Sequence, residues 1–365
     1  MKKRLSVFLV LILALSSILV GCNGKKEIVD SSASKEELSV YKDMAGREVQ
    51  LPEKIEKVYT TSYVGTVFMY TFDEEKLAGI SVNLTEDEKK YTSEYFQSLP
   101  VIGGVGGKGQ ETSLEEIISI SPDVVLFIDS LDKGSIDEMD KLQEQLDIPV
   151  IMLSDHIEDI SDTYRELGKI FDNEERANEL SKYVDEWFKE VDDIISDIPE
   201  EERATIYYAS GPVGLETGVK GSRHVQSIEL AGGVNVIEGD ASENKGRVEV
   251  SIEEVLEGNP ELVIVAPSKS DGVSSSYEYI KTDESWKNVQ AVKNGKVYGT
   301  PYKPFNWFDR PPAVNRVLGI KWLTYIMYPD KADYDIKEEA KDFYKLFYNI
   351  ELNEEDIKDI LGNSI

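Results

Sequence analysis

Side chains that could bind a small ligand occur in the loops that follow predicted strands. In doubly wound sheets, such loops line the crevice where ligands bind. Arginine carries a fork of donors that fits a carboxylate or an oxyanion, tryptophan offers a flat apolar wall, and tyrosine and histidine can ligate iron. Four loops carry such residues: Ser62 and Tyr63 after the first strand; His156 after the strand at 149–153; Ser222, Arg223 and His224 in the loop 210–224; and Asn306, Trp307, Phe308 and Arg310 in the last loop.

Each of these residues also has a purely structural interpretation. Tyr63 fits an ordinary half-buried tyrosine, His156 a helix cap or a solvent-facing side chain, and Trp307 packing between helices. Arg310 stands next to Asp309 and could pair with it instead of a ligand. We take Ser62, Tyr63, Arg223, His224, Trp307 and Arg310 as the ligand-binding candidates. Tyr63, His156 and His224 are weak candidates for direct metal ligation.

The sequence does not indicate an enzyme. The chain has two histidines and a single cysteine, so no zinc site of histidines and cysteines is possible, and no nucleophile stands beside a base. Carboxylates are so numerous that no pair is distinguished for acid–base chemistry. The glycine-rich stretch Gly103–Gln110 does not have the spacing of a phosphate-binding loop and is expected to be a turn.

The residues that must position these loops are organised as two similar halves. Residues 113–127 read SLEEIISISPDVVLF, and residues 251–265, at a constant offset of 138, read SIEEVLEGNPELVIV. Each copy predicts a short helix, a proline turn and a buried parallel strand. Charge and proline positions match as well as apolar ones, which favours two α/β lobes of similar plan over chance repetition.

A long amphipathic helix is predicted between the two copies, over residues 172–199. Its apolar residues recur at helical spacing, Asp172 and Glu175 could form a capping box, and Pro199 would end it. The expected fold is therefore α/β, with two Rossmann-like lobes joined by a single long α-helix and a ligand cleft between the lobes. The N-terminal lobe would span 40–171 and the C-terminal lobe 200–365. Strands are also expected at 77–82, and a helix near 285–289.

The N-terminal residues have the pattern of an export signal. Three cations precede the mostly apolar segment Leu5–Val20, which is short for a membrane span, and Leu19–Cys22 resembles a bacterial lipobox. We expect residues 1–21 to be a lipoprotein signal peptide, Cys22 to be lipidated, and residues 22–39 to be a flexible tether. Loss of the three cations takes the formal charge from −30 to −33. So acidic a chain is not expected to bind nucleic acid.

The chain resembles a known family, the class III (helical-linker) substrate-binding lipoproteins of ABC transporters for iron–siderophore, haem and cobalamin uptake. The resemblance covers essentially residues 40–350. It is carried by the lipobox and by five internal stretches: Asp43–Pro52, Ser113–Phe127, Gly214–Gly218, Ala231–Val236 and Pro311–Leu323.

The resemblance implies an extracytoplasmic, membrane-anchored monomer that passes its cargo to a permease and its ATPase. It also implies that Glu115 and Glu253, matched members of the internal repeat, pair with arginines of the permease; both could equally be solvated acids at helix N-termini. The expected cargo is an iron chelate of siderophore type, with molybdate or tungstate, cobalamin and haem as alternatives. No resident cofactor is implied, and an enzyme or a surface sensor on the same scaffold remains the alternative outside this class.

Overall fold

The computed structural model describes residues 39–105, 111–267 and 274–365. Its N-terminal part begins with the hairpin β1 (Ser39–Lys42) and β2 (Glu48–Leu51) and continues through three strands, β3 (Val58–Thr60), β4 (Val124–Asp129) and β5 (Val150–Ser154). The helices of this part are α1 (Tyr63–Asp73), α2 (Glu86–Lys90), α3 (Glu94–Ser98), α4 (Leu114–Ser119), α5 (Lys133–Leu146) and α6 (Ile160–Ile170). The predictions for the signal peptide, for Cys22, for the tether up to residue 38 and for most of the glycine-rich stretch lie outside the described residues.

The long helix α7 (Glu174–Ile195) leads into the C-terminal part. The strands of this part are β6 (Thr205–Ala209), β7 (Glu216–Gly218), β8 (Val234–Asn235), β9 (Arg247–Glu249), β10 (Leu262–Val265) and β11 (Val297–Gly299). Its helices are α8 (Gln226–Leu230), α9 (Ile252–Gly258), α10 (Ser274–Thr282), α11 (Gln290–Lys293), α12 (Asn315–Met327), α13 (Ile336–Tyr348) and α14 (Glu354–Leu361). Within the described ranges, no helix is both long and apolar enough to cross a membrane.

The two parallel sheets are separate, as two lobes require. The N-terminal sheet has the strand order β3-β4-β5, and the C-terminal sheet has the order β11-β10-β6-β8. The strands of the internal repeat, β4 and β10, are both interior strands, and they are buried except at Asp129, the last residue of β4, which explains their continuous apolar runs. The predicted α/β class with two lobes is confirmed.

The opening hairpin is fastened to the N-terminal sheet by one arginine. The guanidinium of Arg47 donates to the carbonyl of Val150 at 2.7 Å and pairs with Asp140 at 3.2 Å. Asp43, four residues earlier, accepts hydrogen bonds from the backbone N–H groups of Arg47 and Met152. The motif shared with the family therefore closes the edge of this sheet and does not reach the ligand candidates.

Helix α7 differs from its prediction at both ends. Its N-cap is Asn173, whose side chain accepts from the backbone N–H of Arg176, whereas Asp172 adopts a left-handed conformation with φ of 52°. The helix ends at Ile195, four residues before Pro199. Its 22 residues span about 33 Å. One face, including Leu180, Trp187 and Val191, is buried and packs along α6 and α12.

The chain crosses between the lobes a second time at its C-terminal end. The ring of Tyr348 on α13 stacks on Tyr70 of α1 with centroids 5.9 Å apart. Asp359 on α14 forms ion pairs with Lys90 of α2, at 2.7 Å, and with Lys303 of the last loop, also at 2.7 Å. A single apolar core consequently runs from α1 through α7 to α12 and α13. The boundary expected at residue 200 stays a prediction, with these last two helices lying against the N-terminal lobe.

Two predicted elements are absent from the described residues. The stretch 77–82 forms only single bridges, at Leu77 and at Ile80, rather than a strand. The helix expected near 285–289 is a series of turns that ends where α11 begins at Gln290. Both stretches are short, and propensity alone cannot separate a short strand or helix from a turn.

Candidate functional site

The carboxyl ends of β4 and β5 bring two aspartates to the boundary between the lobes. Asp129 is the last residue of β4, it pairs in register with Ser154 of β5, and Asp155 follows directly. Asp129 is half-exposed, whereas the side chain of Asp155 is 1% exposed. Ser62 lies at the same edge, where its hydroxyl caps α1 and reaches the carbonyl of Ile128 at 3.4 Å.

Arg223 of the C-terminal lobe meets both aspartates. Its Nη2 donates to Asp155 Oδ2, and its Nη1 lies 3.6 Å from Asp129 Oδ1. Burial raises the pKa of Asp155, and the charge of Arg223 opposes that rise. The other oxygen of Asp155, Oδ1, is buried without a hydrogen-bond partner among the described residues. This contact is therefore a bridge between the lobes that leaves one carboxylate oxygen unused.

Asp309 is the centre of a second set of contacts. Its Oδ1 lies 2.8 Å from His224 Nδ1, and its Oδ2 accepts from Arg247 Nη2 at 2.8 Å. Arg310 Nε lies 4.0 Å from Oδ1. Burial acts to raise the pKa of Asp309, but the hydrogen bond from His224 and the charges of Arg247 and Arg310 outweigh it and hold that pKa below its ordinary value. A buried aspartate thus stays ionised and gathers the surrounding cations.

The hydrogen bonds of His224 define its tautomer. Arg247 Nε, which can only donate, points at His224 Nε2 across 3.2 Å. The proton of the neutral ring is therefore on Nδ1, where it is donated to Asp309. Since both ring nitrogens are occupied, His224 has no free lone pair for a metal ion in this arrangement.

Arg316 of α12 completes what we call the arginine cluster: Arg223, Arg247, Arg310 and Arg316. Arg316 is fully buried, and its Nη2 donates weakly to the carbonyl of Arg223 at 3.4 Å. Burial lowers its pKa to about 10, so its guanidinium still carries charge at neutral pH. Four guanidinium groups then face three carboxylates, those of Asp129, Asp155 and Asp309. Further carboxylates lie nearby, since the charge of Glu158 also acts on Arg316, and Glu216 and Glu249 line a cavity together with Arg247.

An open cavity adjoins the cluster at Arg247. It has a volume of about 430 Å³ and is lined by Ser210, Glu216, Thr217, Arg247, Val248 and Glu249. The side chains of Arg223, Arg247 and Arg310 are each 41–54% exposed, so their remaining donors are accessible from solvent. The arrangement can hold an anion between forked donors.

The structure brings together only part of the predicted ligand set. Arg223, His224 and Arg310 belong to one cluster, and Ser62 lies at the facing edge. Tyr63 instead donates to Glu88 of α2 and packs edge-on against Phe305. Trp307 has no exposed surface and contacts the ring of Tyr344, which matches its structural interpretation.

His156 is exposed, and it makes no side-chain contact with the other candidates. Among the described residues, no group of three or more histidines, cysteines, aspartates and glutamates is arranged to hold a metal ion. Direct ligation by Tyr63, His156 or His224 therefore has no geometric support in this part of the chain.

Sequence reasoning passed over Asp129, Asp155 and Arg247. Asp155 is the first residue after β5, and the rule that selected its neighbour His156 would have selected it too. It was set aside because 70 acidic residues give no reason to prefer one. Arg247 could not be found by that rule, since it lies in the three-residue strand β9 and not in a loop after a strand.

Glu115 and Glu253 lie on the two copies of one structural unit. Ser113 caps α4 and Ser251 caps α9, and in each helix the following glutamate, Glu116 or Glu254, closes the capping box. Glu115 and Glu253 are exposed and have no partner within the described part of the chain. They are thus left free at equivalent places on the two lobes.

Comparison with known proteins agrees with this architecture. A family profile described as periplasmic binding protein matches residues 58–304. The chain is 26% identical to the molybdate-binding protein MolA of Haemophilus influenzae over 360 residues, which cover 92% of this chain and 96% of MolA. It is 21% identical to the Fe(3+)-citrate-binding protein YfmC of Bacillus subtilis over 299 residues, which cover 81% of this chain and 89% of YfmC.

A solved ABC transporter solute-binding protein from Sulfurospirillum deleyianum superposes with a TM-score of 0.80 at 32% identity, covering 88% of this chain and 99% of that one. The family match covers well over half of the sequence, and the separate parallel sheets and the connecting helix are those of its class III members. The chain therefore belongs to the periplasmic binding protein family, as a substrate-binding protein of an ABC transporter.

Proposed function

We propose that the protein captures an anionic metal chelate outside the cytoplasmic membrane and delivers it to the permease of its importer. The observation that supports this is the arrangement of charge across the lobe boundary. Arginine forks project from the C-terminal lobe, and Asp129 and Asp155 face them from the N-terminal lobe. A chelate carries both kinds of partner, because its outer carboxylate oxygens suit guanidinium groups and its metal-bound waters or hydroxyls suit carboxylates.

An iron chelate is the first candidate. No cluster that could ligate a bare metal ion occurs among the described residues, so a metal cargo would have to arrive already chelated. The relative YfmC, named for Fe(3+)-citrate, is consistent with this choice. The cavity beside Arg247, of about 430 Å³, has room for a chelate of that size.

Molybdate is the second candidate. It is favoured by the likeness to MolA over nearly the whole of both chains. A tetrahedral oxyanion can be held by two or three guanidinium forks without any metal-ligating side chain. Cobalamin and haem are not proposed, since Trp307 and Tyr63, on which those alternatives depended, are engaged in packing.

We extend the proposal to how the protein is held and how it docks. Lipidation of Cys22 would anchor a monomer to the membrane, with the folded part facing outwards. The free carboxylates of Glu115 and Glu253 would meet basic residues of the permease. Both lie in the first turn of a capped helix, where the helix dipole favours a negative charge.

Docking is tested with the double variant Glu115→Arg/Glu253→Arg. We expect uptake of the cargo by cells to be lost while its affinity for the purified protein is unchanged. The matched control is Glu116→Gln/Glu254→Gln, which removes the neighbouring charges but preserves the capping boxes. Unchanged uptake in the first variant, or equal loss in both, would contradict the docking proposal.

The cargo is tested by titration calorimetry of the purified chain with ferric citrate and with molybdate. We expect one of these anions to bind at a single site and Arg247→Ala to weaken its binding at least tenfold, as loss of a charge-assisted contact should. Lys287→Ala, at an exposed position away from the boundary, is the control. Absence of binding, or binding indifferent to Arg247, would contradict the proposal.

A further inference from the structure

The side chain of Asp155 combines burial with an unused acceptor. It is 1% exposed, its Oδ2 accepts from Arg223, and its Oδ1 has no hydrogen-bond partner among the described residues. Asp155 Oδ1 is one of ten buried side-chain nitrogen and oxygen atoms of the described residues that lack a hydrogen-bond partner, and it is the one carboxylate oxygen among them. Buried polar atoms in folded proteins are usually satisfied, so a carboxylate oxygen at the lobe boundary is a candidate to bind a donor from outside the chain. The position of Asp155, directly after β5 and opposite the arginine cluster, is where cargo would lie.

The chemistry of this atom restricts what that partner can be. An ionised carboxylate offers lone pairs and no hydrogen, so it can bind a donor and repels another acceptor. Burial raises the pKa of Asp155, and the ion pair with Arg223 opposes that rise, because protonation of the carboxylate would forfeit the ion pair. Asp129 adds a second negative charge on the same side, its Oδ1 3.6 Å from the same guanidinium.

We propose that Asp155 determines specificity by demanding a hydrogen-bond donor from the cargo. Asp155 Oδ1 accepts an O–H or N–H of the bound molecule, while the arginine cluster holds its negative charge. Anions that carry only acceptors, such as molybdate and sulfate, leave this oxygen unpaired or clash with it. Sites that use a buried group in this way reject the analogue that lacks the matching hydrogen. The inference rests on the proposed function and selects, among its candidates, a chelate bearing hydroxyl or water ligands.

Two pairs of probe anions test the inference on the full purified chain. Mononuclear ferric citrate presents O–H groups on metal-bound water or hydroxide, whereas molybdate at pH 7 has none. Inorganic phosphate keeps at least one O–H at this pH and sulfate has none, although the two are alike in size and shape. Calorimetry measures the first pair directly, and competition against ferric citrate measures the second.

In the wild type we expect ferric citrate to bind at least tenfold more tightly than molybdate, and phosphate to compete better than sulfate. Asp155→Asn, which turns an acceptor into a donor, should shift the ratio of affinities toward molybdate and sulfate by about tenfold or more. Asp129→Asn removes the same charge from the half-exposed neighbour and should change both affinities by less than threefold, in parallel. Asp155→Ser, checked by its thermal unfolding and circular dichroism, provides a second substitution should the amide fail to fold.

Parallel changes for both members of each pair in Asp155→Asn, or a wild type that prefers molybdate, would overturn the inference. In the first case, binding that still depends on Arg247 would leave the proposed function standing. In the second case, such binding would favour molybdate, the second candidate, over a chelate. If neither ferric citrate nor molybdate bound the wild type, both the inference and the proposed function would fail together. If Asp155 had a purely structural role, its substitution would lower the affinities for all four anions alike. A change in the ratio of affinities that occurs only in the Asp155 variant therefore supports the inference.

Discussion

The two copies of the internal repeat are alike in structure and opposite in the charge that surrounds them. Helices α4 and α9 start with the same serine cap and glutamate capping box, and the strands that follow, β4 and β10, occupy interior places in their sheets. At the lobe boundary the likeness ends. Asp129, the last residue of β4, corresponds in the repeat to Pro267, two residues beyond β10, and the arginines of the C-terminal lobe come from other elements.

The shared features of the two copies are those that form each lobe, and the features that differ are the charges at the lobe boundary, where we propose that cargo binds. Capping and strand burial are needed to form each lobe, so both copies keep them. The facing edges differ, because one supplies carboxylates and the other guanidinium groups, and the two meet where Arg223 contacts Asp129 and Asp155. The following variants test this difference between the carboxylate edge and the guanidinium edge.

The largest effect is expected where the C-terminal edge depends on a buried charge. Asp309→Ala leaves His224 and Arg247 without the carboxylate that they share, and should lower the free energy of unfolding by about 3–5 kcal/mol. Asp129→Ala, at the half-exposed N-terminal edge, should cost under about 1 kcal/mol. Urea unfolding measures both. Equal costs at the two edges would contradict the role of Asp309 as the shared buried counterion.

The next effect concerns cargo and not stability. Arg310→Ala removes an exposed guanidinium whose distance to Asp309 is 4.0 Å, at the limit of an ion pair. The binding free energy of the variant for the cargo should be weaker by about 1.5–3 kcal/mol. Its free energy of unfolding should differ from that of the wild type by less than about 1 kcal/mol. Calorimetry and urea unfolding on the same preparation separate the two quantities. A loss of stability without a loss of affinity would remove Arg310 from the site.

The repeat itself predicts a matched pair of smaller effects. Ser113→Ala and Ser251→Ala each delete the N-cap acceptor of an equivalent helix, and each should lower the free energy of unfolding by about 1 kcal/mol. Because both caps are exposed and both have the same partners, the two costs should agree within about 0.5 kcal/mol. Strongly unequal costs would show that the two copies are not equivalent in the folded state.

The smallest effects should appear as opposite pH dependences at the two edges. The pKa of Asp309 is lowered on folding, so its contribution to stability is present above the ordinary value of 3.8 and is lost as the pH falls through the lowered pKa. The pKa of Asp155 is raised by burial, so the stability linked to its protonation is complete below 3.8 and is lost as the pH rises through the raised pKa.

Urea unfolding between pH 3 and pH 7 measures this contrast. The cost of Asp309→Asn should shrink toward pH 3, whereas Asp155→Asn should become relatively less costly, or stabilising, as the pH rises. Exposed Asp193→Asn, on α7, is the control and should change little with pH. The same pH trend for Asp309→Asn and Asp155→Asn would contradict the assigned directions.

Most of the scaffold could be predicted because periodic burial is a strong signal. The strands that end the two repeat copies, the strand at 149–153 and the long connector lie within a few residues of β4, β10, β5 and α7. The cap of the connector shifted from Asp172 to Asn173 because Asp172 adopts a left-handed conformation that ends the preceding turn. The short antiparallel pair β7 and β9 was missed, since strands of three residues carry almost no pattern.

The site was predictable only where its residues follow parallel strands or share one loop. Arg223, His224 and Arg310 were found in this way, and they do meet around Asp309. Trp307 and Tyr63 were chosen for side-chain chemistry, but burial of a large aromatic surface competes with exposure in a cleft, and here the apolar packing prevails. The position of Asp155 directly after a strand marks it as a candidate, but its burial, which separates it from the other carboxylates, is visible only in the structure.

Native mass spectrometry with elemental analysis of the protein purified from its own host tests the central claim most directly. We expect the wild type to retain a negatively charged metal complex at one metal ion per chain, and Arg247→Ala to lose it. A neutral organic ligand, or a bound metal retained equally by the variant, would contradict the account.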